Sequence, residues 1–520
     1  MKFSNFLGIN NRLPDFALNI RTRQLQGDYL HSADNVDVDN AGKLRRRKGT
    51  ALHQAMTAPH SLFNDAFLVR DYTLYAVELP TYSETLVKVL TSNAAMSYVA
   101  LGDDTYYSNG VDSGRVTAGT AYPLGLATPT APALAGIGGA LLAGNYQVAV
   151  SQFNNTTGEE GGVSPATSYE LTSTGGIRVT LPAVATGATH INVYLSAANG
   201  SVPYLLATVT GATYDCIALA TGREASERFE APLPAGTLFM SNGRLCSFAG
   251  SMVYVGLPYR PGYYLPAEGY IPFSADVSIA IENQGGTFIA ADKTYWVPGD
   301  LGDVQDKLPT VLPYGAVPGT AFSFPDNSMV GWFGAQGVVF GATSGEVEAV
   351  MNENIDLTAP ASGSAAVFQN DGYQRVMSCG WSVNMDNKAA TTYSDWDFTS
   401  VSGNYGTKAD GIYLLNVVGL VDASINFGRQ DFNGETFKHL PAVYLGVDAE
   451  YPMRLRVQAP GGVDYEYDAR SGSDELQQQR IDPGRGLRAC WYDLTLSNTE
   501  GSDFTLASVS FAATATQRRI

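Results

Sequence analysis

The chain has 520 residues, of which 45% are apolar and only 16% are charged, and it contains 55 glycines and 29 tyrosines. Its length suits two to four domains. Low charge with abundant glycine and tyrosine favours an all-β protein in which tight turns join many short strands. The net charge of −18 argues against a general affinity for nucleic acid or for anionic membranes, because both interactions depend on lysine and arginine.

The N-terminal sequence MKFSNFLGINNRLPDF lacks the apolar run of a secretory signal. The longest weakly polar stretch, PALAGIGGALLAG at 132–144, is too short and too rich in glycine to span a bilayer. We therefore expect a soluble protein without membrane insertion. The cysteines lie far apart and form no C-x-x-C pair, so we expect no zinc site and no disulfide framework, but free, partly buried thiols in a reducing cytoplasm. They are Cys216, Cys246, Cys379 and Cys490.

The opening segment 34–50, DNVDVDNAGKLRRRKGT, sets alternating acids beside four consecutive bases. A calcium loop that began at Asp37 would place Ala41 fifth and Lys48 twelfth, where a bidentate glutamate is required. The four bases could contact DNA phosphates. Alternate residues of a strand face opposite sides, however, so these bases form no single patch.

A β-hairpin agrees with every residue of this segment. Val36 and Val38 would face the core, an Asn-Ala-Gly turn would follow, and Leu44 would return to the core. Asp37 and Asp39 would lie across from basic partners, in pairs that contribute a few tenths of a kcal/mol each. We therefore interpret the segment as structural.

One pattern recurs along the chain: an apolar strand, a short polar or glycine turn, and a strand with aromatic residues. Each copy predicts a hairpin. Because none is stable alone, the copies predict a stacked or radial array, and a β-propeller is the economical arrangement. Their irregular spacing leaves a series of β-sandwiches open. The copies lie at 66–77, 96–109, 245–256, 286–299, 329–341 and 408–416.

The pattern stops between about 127 and 233, where alternating strands recur at regular intervals over the length of one sandwich. The stretch NYQVAVSQFN followed by E-x-G-x-V-S-P and I-N-V-Y-L-S resembles a fibronectin type III or immunoglobulin-like module. Helical periodicity is nearly absent, and DELQQQR at 474–480 would form one or two helical turns at most. The predicted domains are an N-terminal hairpin with the first blades, an inserted sandwich, the remaining blades and a C-terminal β-domain, at 1–126, 127–233, 234–425 and 426–520.

Few residues are candidates for chemistry. The sequence has no H-E-x-x-H, P-loop, G-x-S-x-G or Rossmann motif. Of the five histidines, His31, His53, His60, His190 and His439, His53 and His60 flank an expected loop, where a solvated role is favoured over a metal site. Asp395 and Asp397 could form a glycosidase pair on one strand face, although loop acids are common. The aromatic run 258–273, PYRPGYYLPAEGYIPF, could be a carbohydrate platform, but packing between blades is the favoured interpretation.

Three sets of residues carry a resemblance to a known family. The start, GINNRLP followed by ADNVDVDNAGKLRRRKG, resembles the opening of tail proteins from short-tailed bacteriophages. The segments NGRLCSFAGSMVYVGLPYRPGYY and WFGAQGVVFGATSGEVEAV are similar to blade segments of the tail nozzle, also called tail tubular protein B. GRGLRACWYDLTLSN with a terminal Arg-Arg-Ile resembles the C-terminal domain of such proteins. The resemblance covers most of the chain outside 127–233, a module that the simplest nozzles lack.

The resemblance implies a structural component of a phage tail, placed in the virion and assembled in the bacterial cytoplasm. It implies a homo-oligomeric ring, as a hexamer, around a channel for genome ejection, in contact with adaptor, hub and fibre proteins. DNA must slide through such a channel, so we expect acidic residues to face the lumen and the basic stretch 43–48 to lie away from it. The sequence predicts no enzymatic activity, no catalytic residue, no metal and no cofactor.

Two other functions stay open. The chain could be a receptor- or glycan-binding tail adhesion protein that meets the host surface, with the module at 127–233 contacting glycans. It could also be a polysaccharide depolymerase that uses Asp395 or Asp397. Binding of glycan by the module would favour the first, and release of sugar that depends on either aspartate would favour the second.

Overall fold

The computed structural model describes residues 1–19, 27–225, 229–303, 308–370, 372–484 and 486–516. Strands dominate these residues; they contain no α-helix and two 3-10 turns, at Asp15–Ala17 and Leu301–Asp303. The predicted all-β class is confirmed. No helix in these ranges is long and apolar enough to cross a membrane. The terminal Arg-Arg-Ile of the predicted C-terminal motif lies outside the described residues.

The strands are numbered here in chain order, beginning with those that precede residue 220. The first seven are β1 Lys2–Ser4, β2 Phe6–Ile9, β3 Asp28–Leu30, β4 Ser32–Asp34, β5 Val36–Val38, β6 Leu44–Arg46 and β7 Gly49–Ala55. The next eight are β8 His60–Phe63, β9 Phe67–Arg70, β10 Thr73–Glu78, β11 Ser83–Val89, β12 Ser97–Leu101, β13 Asp104–Ser108, β14 Ser113–Thr117 and β15 Thr120–Tyr122. Eight more follow: β16 Ala133–Leu141, β17 Gly144–Phe153, β18 Glu160–Val163, β19 Thr167–Leu171, β20 Gly175–Thr180, β21 His190–Ser196, β22 Pro203–Val209 and β23 Thr213–Cys216.

The remaining strands run to the C-terminal region. They begin with β24 Ala231–Pro232, β25 Thr237–Ser241, β26 Arg244–Ala249, β27 Met252–Tyr254, β28 Gly256–Leu257, β29 Arg260–Tyr264, β30 Tyr270–Pro272, β31 Ile279–Asn283, β32 Gly286–Ala290, β33 Thr294–Pro298 and β34 Thr310–Leu312. Then come β35 Phe322–Ser323, β36 Met329–Gly334, β37 Gly337–Ala342, β38 Val347–Ala349, β39 Ala365–Asn370, β40 Tyr373–Ser378, β41 Trp381–Asn384, β42 Ala390–Thr392, β43 Ser400–Ser402, β44 Tyr405–Lys408 and β45 Gly411–Val417. The last are β46 Ser424–Gln430, β47 Lys438–Ala449, β48 Arg454–Ala459, β49 Val463–Asp468, β50 Ser473–Ile481, β51 Arg488–Ala489, β52 Tyr492–Ser497 and β53 Phe504–Ala515.

Seven antiparallel units of four strands form the blades of a β-propeller in the described part of the chain. In order they are β8–β11, β12–β15, β25 to β27 with β30, β31–β34, β35–β38, β39–β42, and β43–β45 with β7. The first strand of every blade contributes to the wall of one central channel of about 860 Å³. A ring of sheets around a channel is the radial arrangement that the repeated hairpins predicted.

Apolar clusters between neighbouring blades hold the ring together. Phe288 of blade four lies against Trp332 of blade five, with ring centroids 5.1 Å apart, and both side chains are buried. Leu68 of blade one and Ile412 of blade seven lie in one apolar cluster, so the last blade also packs against the first. Strand β7 comes before blade one in the sequence, yet it pairs with β45 and completes blade seven. The ring is therefore closed by strands from both ends of the propeller sequence.

Six of the blades contain the predicted hairpins, and the sequence pattern missed blade six. Its strands span 365–392, where AAVFQNDGYQRVMS forms an antiparallel hairpin that pairs Asn370 with Tyr373. The apolar residues of this blade face the neighbouring sheets and include Val376 and Val383, which are fully buried. The signal was weak because glutamine and arginine interrupt the apolar strands.

A β-sandwich lies between blades two and three in the sequence. One sheet has the order β16-β20-β23, and the other has β18 and β19 beside β17, followed by β21 and β22. Tyr146, Val148 and Val193 of one sheet meet Ile177 and Cys216 of the other in a single buried cluster. This is the inserted immunoglobulin-like sandwich of the predicted fold.

A second sandwich contains strands from both ends of the chain. Strands β1, β5 and β6 join β47, β50, β51 and β53 in one sheet, and β4 joins β46, β48, β49 and β52 in the other. Phe3 and Phe427 lie between the two sheets, with ring centroids 5.0 Å apart. The second sheet continues into blade six through the single pair Asp34–Thr392. The terminal sandwich, as we name this unit, is thereby fixed to the propeller.

The segment DELQQQR forms the middle of strand β50, and the predicted helical turns are wrong. Val443 pairs with Ile481 and Val447 pairs with Gln477, so β47 imposes an extended conformation on residues of high helix propensity. Tertiary pairing outweighs local preference here.

The segment 34–50 contains the predicted hairpin between β5 and β6. Val36, Val38 and Leu44 are buried, as predicted. Asp39 pairs with Arg45 at 3.3 Å. Asp37 lies across from Arg45 in the strand pairing, as predicted, but its buried carboxylate forms an ion pair with Arg375 of blade six and so connects the terminal sandwich to the propeller.

Candidate functional site

The two aspartates considered as a glycosidase pair do not share a strand face. Both lie in the irregular segment between β42 and β43. Asp395 forms an ion pair with Arg47, and Asp397 forms one with Lys408. Each carboxylate is more than half exposed and bound to a separate base, so the structure does not bring them together as a pair.

The two histidines considered for metal binding lie on strands β7 and β8 and flank the loop 56–59, as predicted, but both are half-buried rather than solvated. His53 packs its ring against Tyr405, with centroids 5.3 Å apart. His60 shares a hydrogen bond of 2.8 Å with Ser61, and burial lowers its pKa. Among the described residues, no three histidine, cysteine or acidic side chains are grouped as metal ligands. All four cysteines are free thiols that are buried or half-buried.

The aromatic run 258–273 contains the most exposed tyrosine of the propeller. Between β27 and β30 of blade three, strands β28 and β29 form a small hairpin that belongs to a separate sheet with β24, and Leu257 pairs with Arg260 in this hairpin. The two residues between them are Pro258 and Tyr259. The Tyr259 side chain is fully exposed, whereas Tyr263 on the following strand is buried. The hairpin therefore exposes the Tyr259 ring to solvent and buries the Tyr263 ring.

Tyr259 adopts a conformation that is unfavourable for its residue type. Its φ is +59°, and proline fixes a negative φ at the preceding position, so the pair forms a type II turn. The second central position of that turn normally holds glycine, because a side chain there costs about 1–2 kcal/mol. A fully exposed ring gains no packing energy to offset this strain. Strain that is kept without a structural return points to a function.

Beside Tyr259 lies a cleft of about 310 Å³ between the propeller and the inserted sandwich. Four separate parts of the chain form its walls: Arg115 on blade two, the loop 157–160 and Arg223 on the sandwich side, and 259–263 on the small hairpin of β28 and β29. We call it the junction cleft. Its size is at the lower end of the range for ligand pockets.

The loop of the cleft is fixed by its own sequence. The Asn154 side chain accepts hydrogen bonds from the backbone N–H groups of Thr156 and Thr157, at 2.9 and 3.1 Å. The Gly158 N–H donates to the Asn154 carbonyl at 2.8 Å. This turn places Glu159 towards the propeller, while the next residue returns to strand β18. The site therefore rests on a rigid loop.

Ion pairs line the cleft and join its walls. The Arg115 guanidinium lies 2.6 Å from the Glu159 carboxylate, and the Tyr263 hydroxyl donates to the same carboxylate at 2.8 Å. Arg260 pairs with the buried Glu230 at 2.8 Å and also donates to the Glu160 carbonyl at 2.6 Å. Each of these contacts crosses from the propeller to the sandwich or to its C-terminal connection.

Glu160 and Tyr263 are the buried polar groups at the base of the cleft. The Glu160 carboxylate pairs with Arg223 and accepts hydrogen bonds from Ser151, Tyr194 and Asn192, the last at 2.7 Å. Burial, and then the neighbouring Glu159, raises the pKa of Tyr263. Its phenol therefore stays neutral at physiological pH and can donate a hydrogen bond.

The central channel is less suited to recognition. Its wall is formed by short segments of all seven first strands, and Glu282 is the only acidic or basic side chain among its lining residues. The Glu282 carboxylate accepts a hydrogen bond of 2.6 Å from the Asn242 N–H, and burial raises its pKa. The junction cleft combines one exposed ring with several fixed charged groups, so it is the better candidate site.

Sequence reasoning found one part of this cleft and missed the rest. The aromatic run was a candidate carbohydrate platform, and Tyr259 belongs to it. Arg115, Glu159 and Arg223 carried no signal, because three distant segments contribute one residue each and no local pattern connects them. The usable signal was a tyrosine directly after a proline at a tight turn.

No protein-family model and no curated protein sequence matches this chain. Among solved structures, 45 chains match. One is an exo-β-1,3-galactanase from Phanerochaete chrysosporium, with 10% identity, a TM-score of 0.19, and coverage of 82% of this chain and 97% of that one. Another is a glycoside hydrolase family 43 arabinoxylan arabinofuranohydrolase from Bacillus subtilis, with 10% identity, a TM-score of 0.17, and coverage of 89% and 96%. A third is the extracellular domain of a hybrid two-component system from B. thetaiotaomicron, with 10% identity, a TM-score of 0.25, and coverage of 94% and 80%.

This comparison contradicts the sequence-based prediction that the chain is not an enzyme, because two of these three structures are glycoside hydrolases. None of the three is described as a phage protein, so the resemblance to tail nozzles stays a prediction.

Proposed function

We propose that this protein binds carbohydrate in the junction cleft, with Tyr259 as the surface on which a sugar ring stacks. The observation that carries the proposal is a fully exposed tyrosine held at positive φ beside fixed charged side chains. An aromatic ring offers an apolar face to the C–H groups of a pyranose, and tyrosine does so with little loss of side-chain entropy.

The charged groups of the cleft supply the polar half of such a site. Sugar hydroxyls both donate and accept hydrogen bonds, so they suit a wall in which carboxylates alternate with guanidinium groups. Glu159 presents an acceptor and Arg115 presents donors, and their mutual contact of 2.6 Å fixes both before a ligand arrives. A preorganised site loses less entropy on binding.

A glycan array with the full chain tests this proposal. We expect binding to a defined subset of glycans, and loss of that binding in the Tyr259→Ala variant. Tyr72→Ala is the matched control, because Tyr72 is also an exposed tyrosine at positive φ, on a turn of blade one. Absence of binding to every glycan, or binding that survives Tyr259→Ala unchanged, would contradict the proposal.

A second candidate is the ring-forming component of a phage tail that the sequence resemblance implies. The observation that favours it is a pair of open sheet edges on the terminal sandwich: β49 ends one sheet and β50 ends the other. Unpaired strand edges are ready templates for pairing with another chain, and a head-to-tail contact of this kind can close a ring. In such a ring, acidic residues would face the lumen.

Mass photometry and negative-stain imaging of the purified protein test this candidate. We expect six copies in a closed ring. We also expect Leu476→Pro in β50 to leave the monomer folded but unable to assemble, because proline cannot join a strand ladder. A chain that stays monomeric at all concentrations, with and without other virion proteins, would contradict it.

A further inference from the structure

The charged residues of the junction cleft balance one another. Arg115 is paired with Glu159, and Arg260 is paired with Glu230, at 2.6 and 2.8 Å. Arg223 is paired with Glu160. Each of the three arginines that line the cleft is thus neutralised by a glutamate, of which Glu230 is buried outside the lining residues, although the whole protein carries a charge of −18.

This balance limits the ligand that the cleft can take. A carboxylate or sulfate on a sugar would need a guanidinium that is not already neutralised, and every arginine of the cleft has a glutamate as its partner. A bound anion would also approach Glu159, which is fixed by both Arg115 and Tyr263. Like charges brought together in a partly desolvated site are repelled strongly. The negative field of the protein adds a weaker, salt-dependent repulsion at longer range.

We propose that the ligand is a neutral glycan and that the paired glutamates of the cleft exclude sugars that carry a carboxylate. This inference rests on the proposed function, and it adds the class of sugar and the residue that selects it. The cleft volume of about 310 Å³ places one or two sugar units beside Tyr259 and leaves the rest of the glycan in solvent. Glu159 is the specificity-determining residue, because its carboxylate lies between the two walls.

Matched pairs of oligosaccharides test the inference directly. Each pair has the same linkage and differs only at C6: galactose against galacturonate tetramers, glucose against glucuronate, and mannose against mannuronate. Titration calorimetry of the full chain at low salt measures both members. We expect the neutral member of the bound pair to bind at least about tenfold more tightly, and this ratio to shrink as salt rises.

Two variants change the charge of the cleft in opposite directions. Glu159→Gln leaves Arg115 without its partner and gives the cleft a positive charge, so we expect discrimination against the uronate to fall several-fold. Arg115→Gln gives a negative charge, so discrimination should rise. Glu348→Gln is the control, because Glu348 is an exposed residue that pairs with Lys388, and neither residue lines the cleft. Its ratio should match the wild type.

The outcomes separate this inference from the proposed function. Equal or tighter binding of a uronate, still lost in Tyr259→Ala, would overturn the neutral class and leave carbohydrate binding in place. Identical ratios in Glu159→Gln and Arg115→Gln would show that Glu159 does not select the ligand. Absence of binding to every pair, or binding that Tyr259→Ala leaves unchanged, would overturn both.

Discussion

Two clusters of charge join parts of this molecule, and they differ in their contact with water. Between the terminal sandwich and the propeller, Asp37 pairs with Arg375, and the Tyr393 hydroxyl donates to Asp37 at 2.6 Å. All three side chains are buried. At the junction cleft, Arg115 and Glu159 keep 19% and 17% of their side-chain surface in water, and they open onto the exposed Tyr259.

The difference separates a structural function of the buried cluster from the binding function that we propose for the junction cleft. A buried cluster has no surface left for a ligand, and removal of one partner leaves an uncompensated charge in the protein interior. At the junction cleft, folding has already met part of the desolvation cost of the charged groups. These groups remain partly in contact with water, so they can still form hydrogen bonds with a ligand. Both clusters fix one unit on another, but only the second leaves room for a third partner.

The largest loss of stability is expected for the buried cluster of Asp37, Arg375 and Tyr393, which we call the closed cluster. Arg375→Met removes the partner of Asp37 and leaves a buried carboxylate, so we expect the free energy of unfolding to fall by about 3–5 kcal/mol. Urea denaturation followed by tryptophan fluorescence measures it. The double variant Asp37→Leu with Arg375→Met should regain most of the loss, because an apolar pair replaces the ion pair. A single variant as stable as the wild type would contradict the structural function of this cluster.

At the junction cleft, we expect replacement of Tyr259 to raise the stability of the protein and to lower its affinity for glycan. Tyr259→Gly relieves the strained φ, so we expect the protein to gain up to about 1 kcal/mol of stability while glycan affinity falls by about 2 kcal/mol or more. Thermal denaturation and calorimetric titration measure the two quantities. Tyr72→Gly, at a φ of +56°, should gain similar stability and keep full affinity. A loss of stability in Tyr259→Gly would show that the ring packs against the protein after all.

A smaller loss of stability is expected at the junction cleft, where the propeller contacts the inserted sandwich. Arg115→Gln removes a partly buried, charge-assisted contact, so we expect about 1 kcal/mol of destabilisation, far less than in Arg375→Met. The same urea denaturation measures it. If Arg115→Gln lost as much stability as Arg375→Met, the proposed difference between the buried cluster and the junction cleft would be contradicted.

The smallest effect is expected on an ion pair outside both clusters. Arg178 and Asp215 face solvent on the inserted sandwich, at 2.7 Å. The hydrogen bond from Arg178 lowers the pKa of Asp215. The contribution of the pair to stability is therefore fully present above the usual pKa of aspartate, and it is lost as pH falls through the lowered pKa of the folded state. We expect Arg178→Gln to leave the denaturation midpoint unchanged at pH 7, and a clear shift would contradict this.

The sequence predicted the elements of this fold better than their contacts. The hairpin at 34–50 was visible because Val36 and Leu44 alternate with polar residues around a turn. The partner of Asp37 was not visible, since Arg375 lies 338 residues away and the two meet only where the sheet of the terminal sandwich continues into blade six. Strand β50 was not predicted, because its residues have a high helix propensity. Its pairing with β47 makes the segment a strand. The junction cleft was visible only through the aromatic run, because its other walls come from distant segments.

The most direct measurement of the central claim is the proton NMR spectrum of a bound neutral oligosaccharide, recorded with the wild type, Tyr259→Ala and Tyr72→Ala. A sugar ring stacked on a tyrosine has its ring C–H signals shifted upfield. We predict this shift with the wild type and with Tyr72→Ala, and its loss with Tyr259→Ala. An upfield shift that persists without the Tyr259 ring, or an oligosaccharide spectrum that the wild type leaves unchanged, would contradict carbohydrate binding at the junction cleft.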